Sequence, residues 1–248
     1  MKLSNTYIIV FTAIMTIIIG GALSLANQLL KPAQTRAIKL DTRTQILNAV
    51  MDLQEGDDIL AIYDDRIDGF VVNISGDEIT ADSKGNPIQA DKVNIIRNFK
   101  KKPEEREYPV FKFTSKDDPL KIEAYIFPVY GNGLWNNIFG FVALESDLNT
   151  IKGVSFGHVG ETPGLGARIT ESEIEDRYIG KKIFDNQGKF MSVTMLKGEK
   201  KDPSMFGPHE VDGMSGATIT ARGLNAMLKE YLHDYEAFIK KIQRQEVI

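Results

Sequence analysis

The first thirty residues constrain this chain most, because they contain a long run without charge. From Leu3 to Leu30 there is no Asp, Glu, Lys or Arg. A helix that spans a bilayer needs about 20 mostly apolar residues, whereas the apolar core of a cleaved signal peptide has only about 7–15. Ser24-Leu25-Ala26 would serve as a cleavage site, but the length of the run favours a retained anchor. We therefore predict a single transmembrane helix within residues 1–30.

The charges on either side of this run bear on its orientation. The basic residues Lys31, Arg36, Lys39 and Arg43 follow it, whereas only Lys2 and the terminal amine precede it. Basic residues tend to remain on the cytoplasmic side of a membrane. By themselves, these flanks predict that the rest of the chain lies in the cytoplasm.

The composition indicates an ordinary globular protein behind the anchor and excludes several functions. Of 248 residues, 42% are hydrophobic and 26% are charged, and the formal net charge is -4, so no basic surface indicates nucleic-acid binding. The absence of cysteine excludes disulfides, cysteine-ligated zinc and iron–sulfur clusters within the chain. The three histidines, His158, His209 and His233, lack metal-ligand spacing. We therefore predict no metal site.

Short strand patterns and single helices alternate behind the anchor, which indicates an α+β fold rather than a regular βαβ repeat. Capping-box spacing predicts helix starts at Thr42 and Thr170, and an apolar stripe from Leu224 to Ile242 predicts a closing helix. The predicted strands are Ile59–Tyr63, Gly69–Ser75, Tyr108–Phe113, Lys121–Tyr130, Ile138–Glu145, Thr150–Phe156 and Phe190–Leu196.

A run of charged residues predicts a domain boundary. Lys100–Glu107 contains seven charged residues and one proline, a pattern typical of a solvated linker. We expect it to separate a membrane-proximal α+β segment, residues 31–105, from a second domain, residues 106–248.

The first of two glycine-rich motifs is Glu161-Thr-Pro-Gly-Leu-Gly166. Its proline and two glycines make a sharply turned loop, in which backbone N–H groups can approach a flat or anionic ligand. By itself, the motif is more simply interpreted as a turn before the helix near Glu171.

The second motif, Asp212-Gly-Met-Ser-Gly-Ala-Thr-Ile-Thr220, directly precedes the closing helix. It brings the hydroxyls of Ser215, Thr218 and Thr220 to a helix N-terminus, where unpaired N–H groups and the helix dipole favour phosphate. Ordinary N-capping by Thr220 or Thr218 is an alternative. A single cap accounts for one hydroxyl but not for the cluster.

The second motif also bears on a hydrolase hypothesis. Gly213-Met-Ser215-Gly-Ala217 nearly fits the G-x-S-x-G nucleophile elbow, with Ala217 in place of the last glycine. An elbow needs a buried strand leading into the serine, and Gly207–Gly213 does not have that pattern. His233, the one histidine downstream, falls in the middle of the predicted helix. A membrane-tethered serine hydrolase therefore has little support.

Together, in this order and with this spacing, the two motifs resemble the FMN-binding domain shared by two bacterial membrane electron-transfer complexes. One is found in the C subunit of the Na+-translocating NADH:quinone oxidoreductase, and the other in the G subunit of the Rnf ferredoxin–NAD complex. Pro128–Trp135 and Ile138–Val142 look more like the sodium-pump subunit. The resemblance covers the anchor and most of the chain from about Lys39. It implies an electron-relaying flavoprotein. No residue of the sequence is a convincing general acid or base, as expected for an electron relay.

The resemblance carries site roles over to particular residues. In the family, the pattern S/T-G-A-T-x-T ends in the threonine that bears FMN through a phosphoester, and residues 215–220 fill every position, so Thr220 is the expected acceptor. His158 lies three residues before Glu161, where the family has its histidine two before, so no role carries over to it. The other expected FMN-binding residues are Ser215, Gly216, Ala217, Thr218, Glu161, Thr162, Pro163, Gly164, Leu165 and Gly166.

The resemblance also implies partners and a location. It implies other subunits of a multisubunit membrane complex, membrane lipid around the anchor, and a flavin transferase that uses FAD and Mg²⁺ to load Thr220. Electrons would arrive from an iron centre elsewhere in the complex and leave for another subunit's flavin on the way to quinone. The family places this domain on the periplasmic face of the bacterial inner membrane. We therefore predict a periplasmic domain, although the basic residues predict the opposite orientation. Four basic residues after the helix against one lysine and the terminal amine before it are only a modest bias.

Two other functions stay open on the sequence alone. A G subunit of the Rnf type would share the flavin chemistry. A membrane-anchored binding or assembly module without redox function would use both motifs as mere turns. Colour separates the flavoproteins from the non-redox module, since either kind of flavoprotein is yellow and the module is colourless.

Overall fold

The computed structural model describes residues 4–82, 84–199 and 202–245. The chain divides into two compact units, residues 1–43 and 44–248. Helix α1 (Asn5–Asn48) forms most of the first unit, and its last residues belong to the second.

Helix α1 is longer than predicted. Its 44 residues would extend about 66 Å at 1.5 Å per residue, about twice the hydrocarbon thickness of a bilayer. An 18-residue window has a mean hydropathy of 2.5 and no buried residue, so by length and composition the helix can cross a membrane. We predicted an anchor ending near residue 30 and a new helix capped at Thr42. Instead, the Thr42 hydroxyl donates to the Ile38 carbonyl at 2.9 Å, as a residue within a continuous helix does.

The second unit is built on a five-stranded antiparallel sheet whose strands follow one another in sequence order. The long strand β3 pairs with β4 over nine residues, from Ala124 opposite Glu145 to Asn132 opposite Asn137. The strands are β1 (Ile67–Val72), β2 (Tyr108–Thr114), β3 (Ile122–Asn132), β4 (Asn137–Glu145) and β5 (Ile151–His158). The four strands predicted between residues 108 and 156 are therefore confirmed, and each of their ends agrees within two residues.

Both faces of the sheet are covered, which explains its nearly continuous apolar strands. Along β3, Tyr125, Phe127 and Val129 face one core, while Ala124 and Ile126 face the other. This follows from the two-residue period of a strand. The first core packs under the closing helices, and the second contains Ile46, Leu47 and Tyr63.

The closing helices carry the second glycine motif onto the first face. They are α5 (Thr218–Asp234) and α6 (Glu236–Gln245). Gly223 of α5 lies so close to the Asn132 carbonyl of β3 that a Cβ there would collide with it. Helix α5 therefore crosses the end of β3, and its first turn lies near the β3–β4 connection.

Three of the predicted strands are wrong, shortened or shifted. The strand predicted at Gly69–Ser75 is β1, which begins two residues earlier and ends at Val72. Ile59–Tyr63 belongs to helix α2 (Ile59–Arg66), because the Asp58 carboxylate caps it by accepting from the Ala61 N–H at 3.1 Å. Within Phe190–Leu196, only β6 (Thr194–Met195) is a strand, and it pairs in parallel with β7 (Glu210–Val211). A left-handed φ of 62° at Ser192 ends regular pairing before it.

The boundary predicted at residue 105 differs from the observed architecture. Strands β1 and β2 lie on opposite sides of that boundary, yet all six residues of β1 pair with β2. The charged run is not a free linker either, since Arg106 is largely buried and forms an ion pair with Asp234 at 3.0 Å. Residues 44–248 therefore form one α+β unit behind the long apolar helix, in agreement with the predicted fold class.

Short elements complete this unit. Helix α3 (Ile95–Phe99) lies in the connection between β1 and β2, and α4 (Ser172–Glu175) follows the first glycine motif.

Candidate functional site

The fold brings the two glycine motifs together. The Thr220 hydroxyl donates a 2.5 Å hydrogen bond to Glu161 Oε2, across 59 residues of sequence. A Cβ added to Gly166 would collide with both of these side chains. Only glycine therefore lets the 161–166 loop lie against the first turn of α5.

The Glu161 carboxylate connects three segments. Its Oε1 accepts from the Trp135 backbone N–H at 3.0 Å, in the β3–β4 connection. Burial raises the pKa of Glu161, but hydrogen bonds from the Thr220 hydroxyl and from backbone N–H groups of residues 134–136 outweigh it and hold the pKa below its usual value. The side chain is therefore an ionised acceptor that fixes the loop.

Two residues without a predicted role also hold this loop. His158 Nδ1 accepts from the Glu161 N–H at 3.3 Å. The Trp135 indole N–H donates to the Thr162 hydroxyl at 3.1 Å, although the Trp135 side chain is 70% exposed. The only signal in the sequence for the role of His158 was its position between the strand predicted at Thr150–Phe156 and Glu161.

The 161–166 loop is a tight turn with an open outer side. The N–H groups of Leu165 and Ala167 both donate to the Thr162 carbonyl at 3.1 Å. Gly164 has a φ of +72°, and a Cβ there would meet nothing within 4 Å. Leu165 is exposed and would touch a Cβ at Gly216. The loop thus lies beside residue 216 of the second motif and presents open space around Gly164.

The second motif leaves the N-terminus of α5 uncapped. Ala217 is the N-cap residue, and no side chain caps the helix, so the alternative of N-capping by Thr218 or Thr220 is wrong. The Ala221 N–H donates to the Ala217 carbonyl at 2.9 Å, and the N–H groups before it have no partner within the helix. These donors are therefore available to an anion. Gly216 is exposed and has a φ of +76°.

The three hydroxyls of the motif differ in exposure. Ser215 is exposed and Thr218 is partly exposed, whereas Thr220 is only 1% exposed. A cavity of about 230 Å³ lies between α5 and the β6 segment, lined by Thr218 and, one turn later, Arg222. Lys197, on the opposite wall, lines the same cavity. Both cationic side chains are exposed.

The burial of Thr220 follows from its place on the helix. It lies four residues before Leu224 and so continues the apolar stripe that packs on the sheet. Thr218 lies about 200° further round the helix axis and lines the cavity instead. The expected acceptor is thus covered by the 161–166 loop, which contacts it through Glu161 and Gly166.

The positions of Ser215 and His233 do not support the hydrolase alternative. Ser215 lies before the first turn of α5, and His233 lies in its last turn. Fifteen residues of helix separate Thr218 from His233, about 22 Å along the axis. His233 Nδ1 instead lies 2.9 Å from Glu236 Oε2.

Comparison with known proteins assigns this architecture to a class and then to a family. The family described as "FMN-binding domain" matches residues 133–233, which include both glycine motifs. The fold and site thus define a protein of the FMN-binding-domain class.

The relatives with similar sequences assign the family. The C subunit of the Na(+)-translocating NADH-quinone reductase of Pseudomonas aeruginosa is 31% identical over 88% of each chain. The protein of the same name from Neisseria meningitidis serogroup B is 30% identical over 97% of this chain and 94% of its own. The chain belongs to this family, the C subunits of Na+-translocating NADH-quinone reductases.

Solved structures agree with this assignment. The C subunit from Parabacteroides distasonis superposes with a TM-score of 0.70 at 32% identity, over 85% of this chain and 96% of that one. NqrC from Shewanella oneidensis superposes with a TM-score of 0.68 at 29% identity, over 84% and 99% of the two chains.

Proposed function

We propose that the chain is the membrane-anchored flavoprotein subunit of a Na+-translocating NADH-quinone reductase, and that it carries FMN and relays electrons within the complex. The observation that carries this proposal is the uncapped N-terminus of α5, set against the 161–166 loop inside the matched FMN-binding domain. The relatives matched over 88–97% of the chain are sodium-pump subunits, which favours this complex over Rnf.

The residues present fit the phosphate end of FMN. The free N–H groups of the first turn of α5 and its dipole would hold the phosphate. Thr220 belongs to that turn.

We further propose that the attachment is covalent and that Thr220 is the acceptor. A flavin transferase would supply FAD and Mg²⁺. A bond forms between Thr220 Oγ1 and the phosphorus on the FMN side of FAD, the pyrophosphate bond breaks, AMP leaves, and the hydroxyl proton passes to the transferase. The match of residues 215–220 to the family pattern supports this choice among the three hydroxyls. Since the 161–166 loop covers Thr220, the loop would move aside for loading and close on the attached flavin afterwards.

The remaining residues would position the flavin. When bound, FMN supplies the redox chemistry, because its ring takes up and releases electrons. The open side of the loop at Thr162–Gly166 leaves space for a flat ring next to Trp135. Ser215, Gly216, Ala217 and Thr218 would form the turn that presents Thr220. Glu161 would orient the loop through its hydrogen bonds rather than act as an acid or base.

Denaturation separates covalent from contact-held flavin. Protein made with its transferase should fluoresce as a band on a denaturing gel and gain the mass of FMN less water. Thr220→Ala should lose both signals, while Thr220→Ser, which retains a hydroxyl, should retain part of them. Thr218→Ala and Ser215→Ala should keep the band. If Thr220→Ala carried a full complement of covalent flavin and Thr218→Ala gave no fluorescent band, Thr218 would be the acceptor. A colourless wild-type protein would favour the non-redox module.

The side of the membrane and the surrounding partners also belong to the proposal. We propose that residues 44–248 lie in the periplasm, that the apolar part of α1 is surrounded by lipid, and that other subunits of the reductase adjoin the domain. A reporter fused after Ile248 should be active only if it functions outside the cytoplasm. Activity of a reporter that works only in the cytoplasm would instead agree with the basic residues after the anchor.

A further inference from the structure

A partly buried ion-pair network touches both halves of the candidate site. Glu199 Oε1 lies 3.2 Å from Arg168 Nη2 and 2.9 Å from Arg177 Nη2. Arg168 also donates from Nη1 to Glu199 Oε2 at 3.5 Å. The three side chains are only 14–18% exposed, so they form a partly buried cluster in which charge-assisted hydrogen bonds are strong.

One arm of this network reaches the segment that leads into α5. Arg177 Nη1 donates to the Gly213 carbonyl at 2.6 Å and to the Asp212 carbonyl at 3.4 Å. Gly213 also packs so closely on the carbonyls of Leu196 and Gly198 that a Cβ there would collide with both. The acceptor loop, residues 212–217, is therefore held at its base.

The other arm reaches the end of the 161–166 loop. Arg168 lies two residues after Gly166, in the 3₁₀ turn Gly166–Thr170, and its Nε donates to Glu171 at 3.3 Å. Glu199 is adjacent to Gly198, whose carbonyl packs on Gly213. Glu199 thus joins the ends of both glycine motifs through two guanidinium groups.

We propose that Arg177 is a positioning residue for flavin attachment, and that Glu199 and Arg168 complete a clamp that fixes the base of the acceptor loop on the 3₁₀ turn Gly166–Thr170. The clamp touches neither Thr220 nor the tip of the 161–166 loop, so that tip can move while the base stays in place. It acts by keeping the acceptor loop ordered before flavin arrives. The link to attachment rests on the proposed function, whereas the ordering of the loop does not.

The chain offers a closely matched control. Arg106 is 12% exposed and Arg177 is 15% exposed. Arg106 likewise pairs with a carboxylate, Asp234 at 3.0 Å, and donates to the carbonyls of Phe99 and Lys101, each at 3.1 Å. None of these partners belongs to a glycine motif. Arg106→Gln and Arg177→Gln therefore each remove a guanidinium group that joins a carboxylate to backbone carbonyls. Arg177 has one more carboxylate partner, the exposed Glu173 at 2.7 Å, and only Arg177 touches the acceptor loop.

Two measurements on these variants test the clamp. The first is amide hydrogen exchange of residues 212–217 in protein without flavin. Arg177→Gln should speed exchange there about tenfold, the scale expected for losing one charge-assisted hydrogen bond. Glu199→Gln should change it in the same direction, and Arg106→Gln should leave it unchanged. Equal exchange in Arg177→Gln and the parent, or equal acceleration in Arg106→Gln, would overturn the clamp.

The second measurement is the initial rate of covalent loading by the transferase with FAD and Mg²⁺. Arg177→Gln should load about tenfold more slowly, in proportion to the loss of order in the loop. Arg177→Lys, which retains the positive charge but lacks the planar guanidinium group, should recover part of the loading rate. Faster exchange with a loading rate equal to or above the parent's would overturn the positioning role. A wild-type chain that never loads would overturn the proposed function, while the exchange result would still decide whether the clamp exists.

Discussion

Thr220 Oγ1 and Glu161 Oε2 form a 2.5 Å hydrogen bond between side chains that are 1% and 4% exposed. This bond joins the two glycine motifs, which are far apart in the sequence. It gives Thr220 a structural role in the flavin-free protein, in addition to the chemical role that its position in the motif predicts. Attachment of a phosphate to Oγ1 would remove the proton that this bond uses.

Thr220→Val should therefore destabilise the flavin-free domain. Valine fills the same volume but cannot donate, and the buried Glu161 carboxylate loses one partner. The free energy of unfolding should fall by about 1–3 kcal/mol, the scale for a buried group left with an unmade hydrogen bond. Thr218→Val, at a partly exposed position, is the control and should change stability by less than about 0.5 kcal/mol. Denaturant unfolding compares them, and equal stability of both variants would contradict the structural role of Thr220.

Gly164 and Gly166 should respond differently to substitution. Gly166→Ala forces a Cβ into Thr220 and Glu161, so it should lower stability and impair loading. Gly164→Val meets open space but must adopt a φ of +72°, which costs about 1–2 kcal/mol. Its side chain would enter the space proposed for the flavin ring. We expect Gly164→Val to alter the flavin absorption spectrum while the covalent loading of folded protein stays complete. A parental spectrum would show that the loop is only a turn.

Trp135 should report flavin loading directly. It is the single tryptophan of the chain, and its indole N–H donates to Thr162 in the loop proposed to face the ring. Because flavins absorb at wavelengths where tryptophan emits, covalent loading should strongly quench its fluorescence relative to protein made without transferase. Thr220→Ala made with the transferase should escape this quenching. Emission that is unchanged by full loading would place the ring far from Trp135.

Glu175 should make stability depend on pH. Its Oε1 accepts from the Phe156 N–H at 2.6 Å, and burial, aided by the nearby charge of Asp176, raises its pKa from 4.5 to about 7. Between these values the folded state retains a proton that the unfolded state has lost, so stability falls as pH rises from about 4.5 to about 7.

Glu175→Gln retains an oxygen that can accept from Phe156 and removes the titration. It should be more stable than the parent at pH 8 by about 2 kcal/mol, which is the value for a pKa raised from 4.5 to about 7, reduced because solvent screens a partly exposed group. The difference should vanish below about pH 4.5, where the carboxyl group is protonated in both states. Unfolding measured from pH 4 to pH 8 tests this, and a parent more stable than the variant at pH 8 would contradict it.

Local patterns in the sequence were enough to predict several parts of this structure. The uncharged run predicts a membrane helix and the apolar strand patterns predict β2 to β5. The stripe from Leu224 to Ile242 predicts a helical C-terminal segment, although as one helix where the structure has two, α5 and α6. These succeed because the two-residue and 3.6-residue periods are local properties of the chain. The order and spacing of the two glycine motifs likewise identify the family.

The tertiary structure decided what depends on contacts between distant segments. Strand β1 joins the sheet by pairing with β2 across a charged segment, which no local pattern predicts. The burial of Thr220 and the partial exposure of Thr218 arise because α5 rests one face on β3 and leaves the other towards the cavity. Two neighbouring threonines have the same chemistry in the sequence. Only the packing of the helix determines which hydroxyl binds Glu161 under the 161–166 loop and which one lines the cavity.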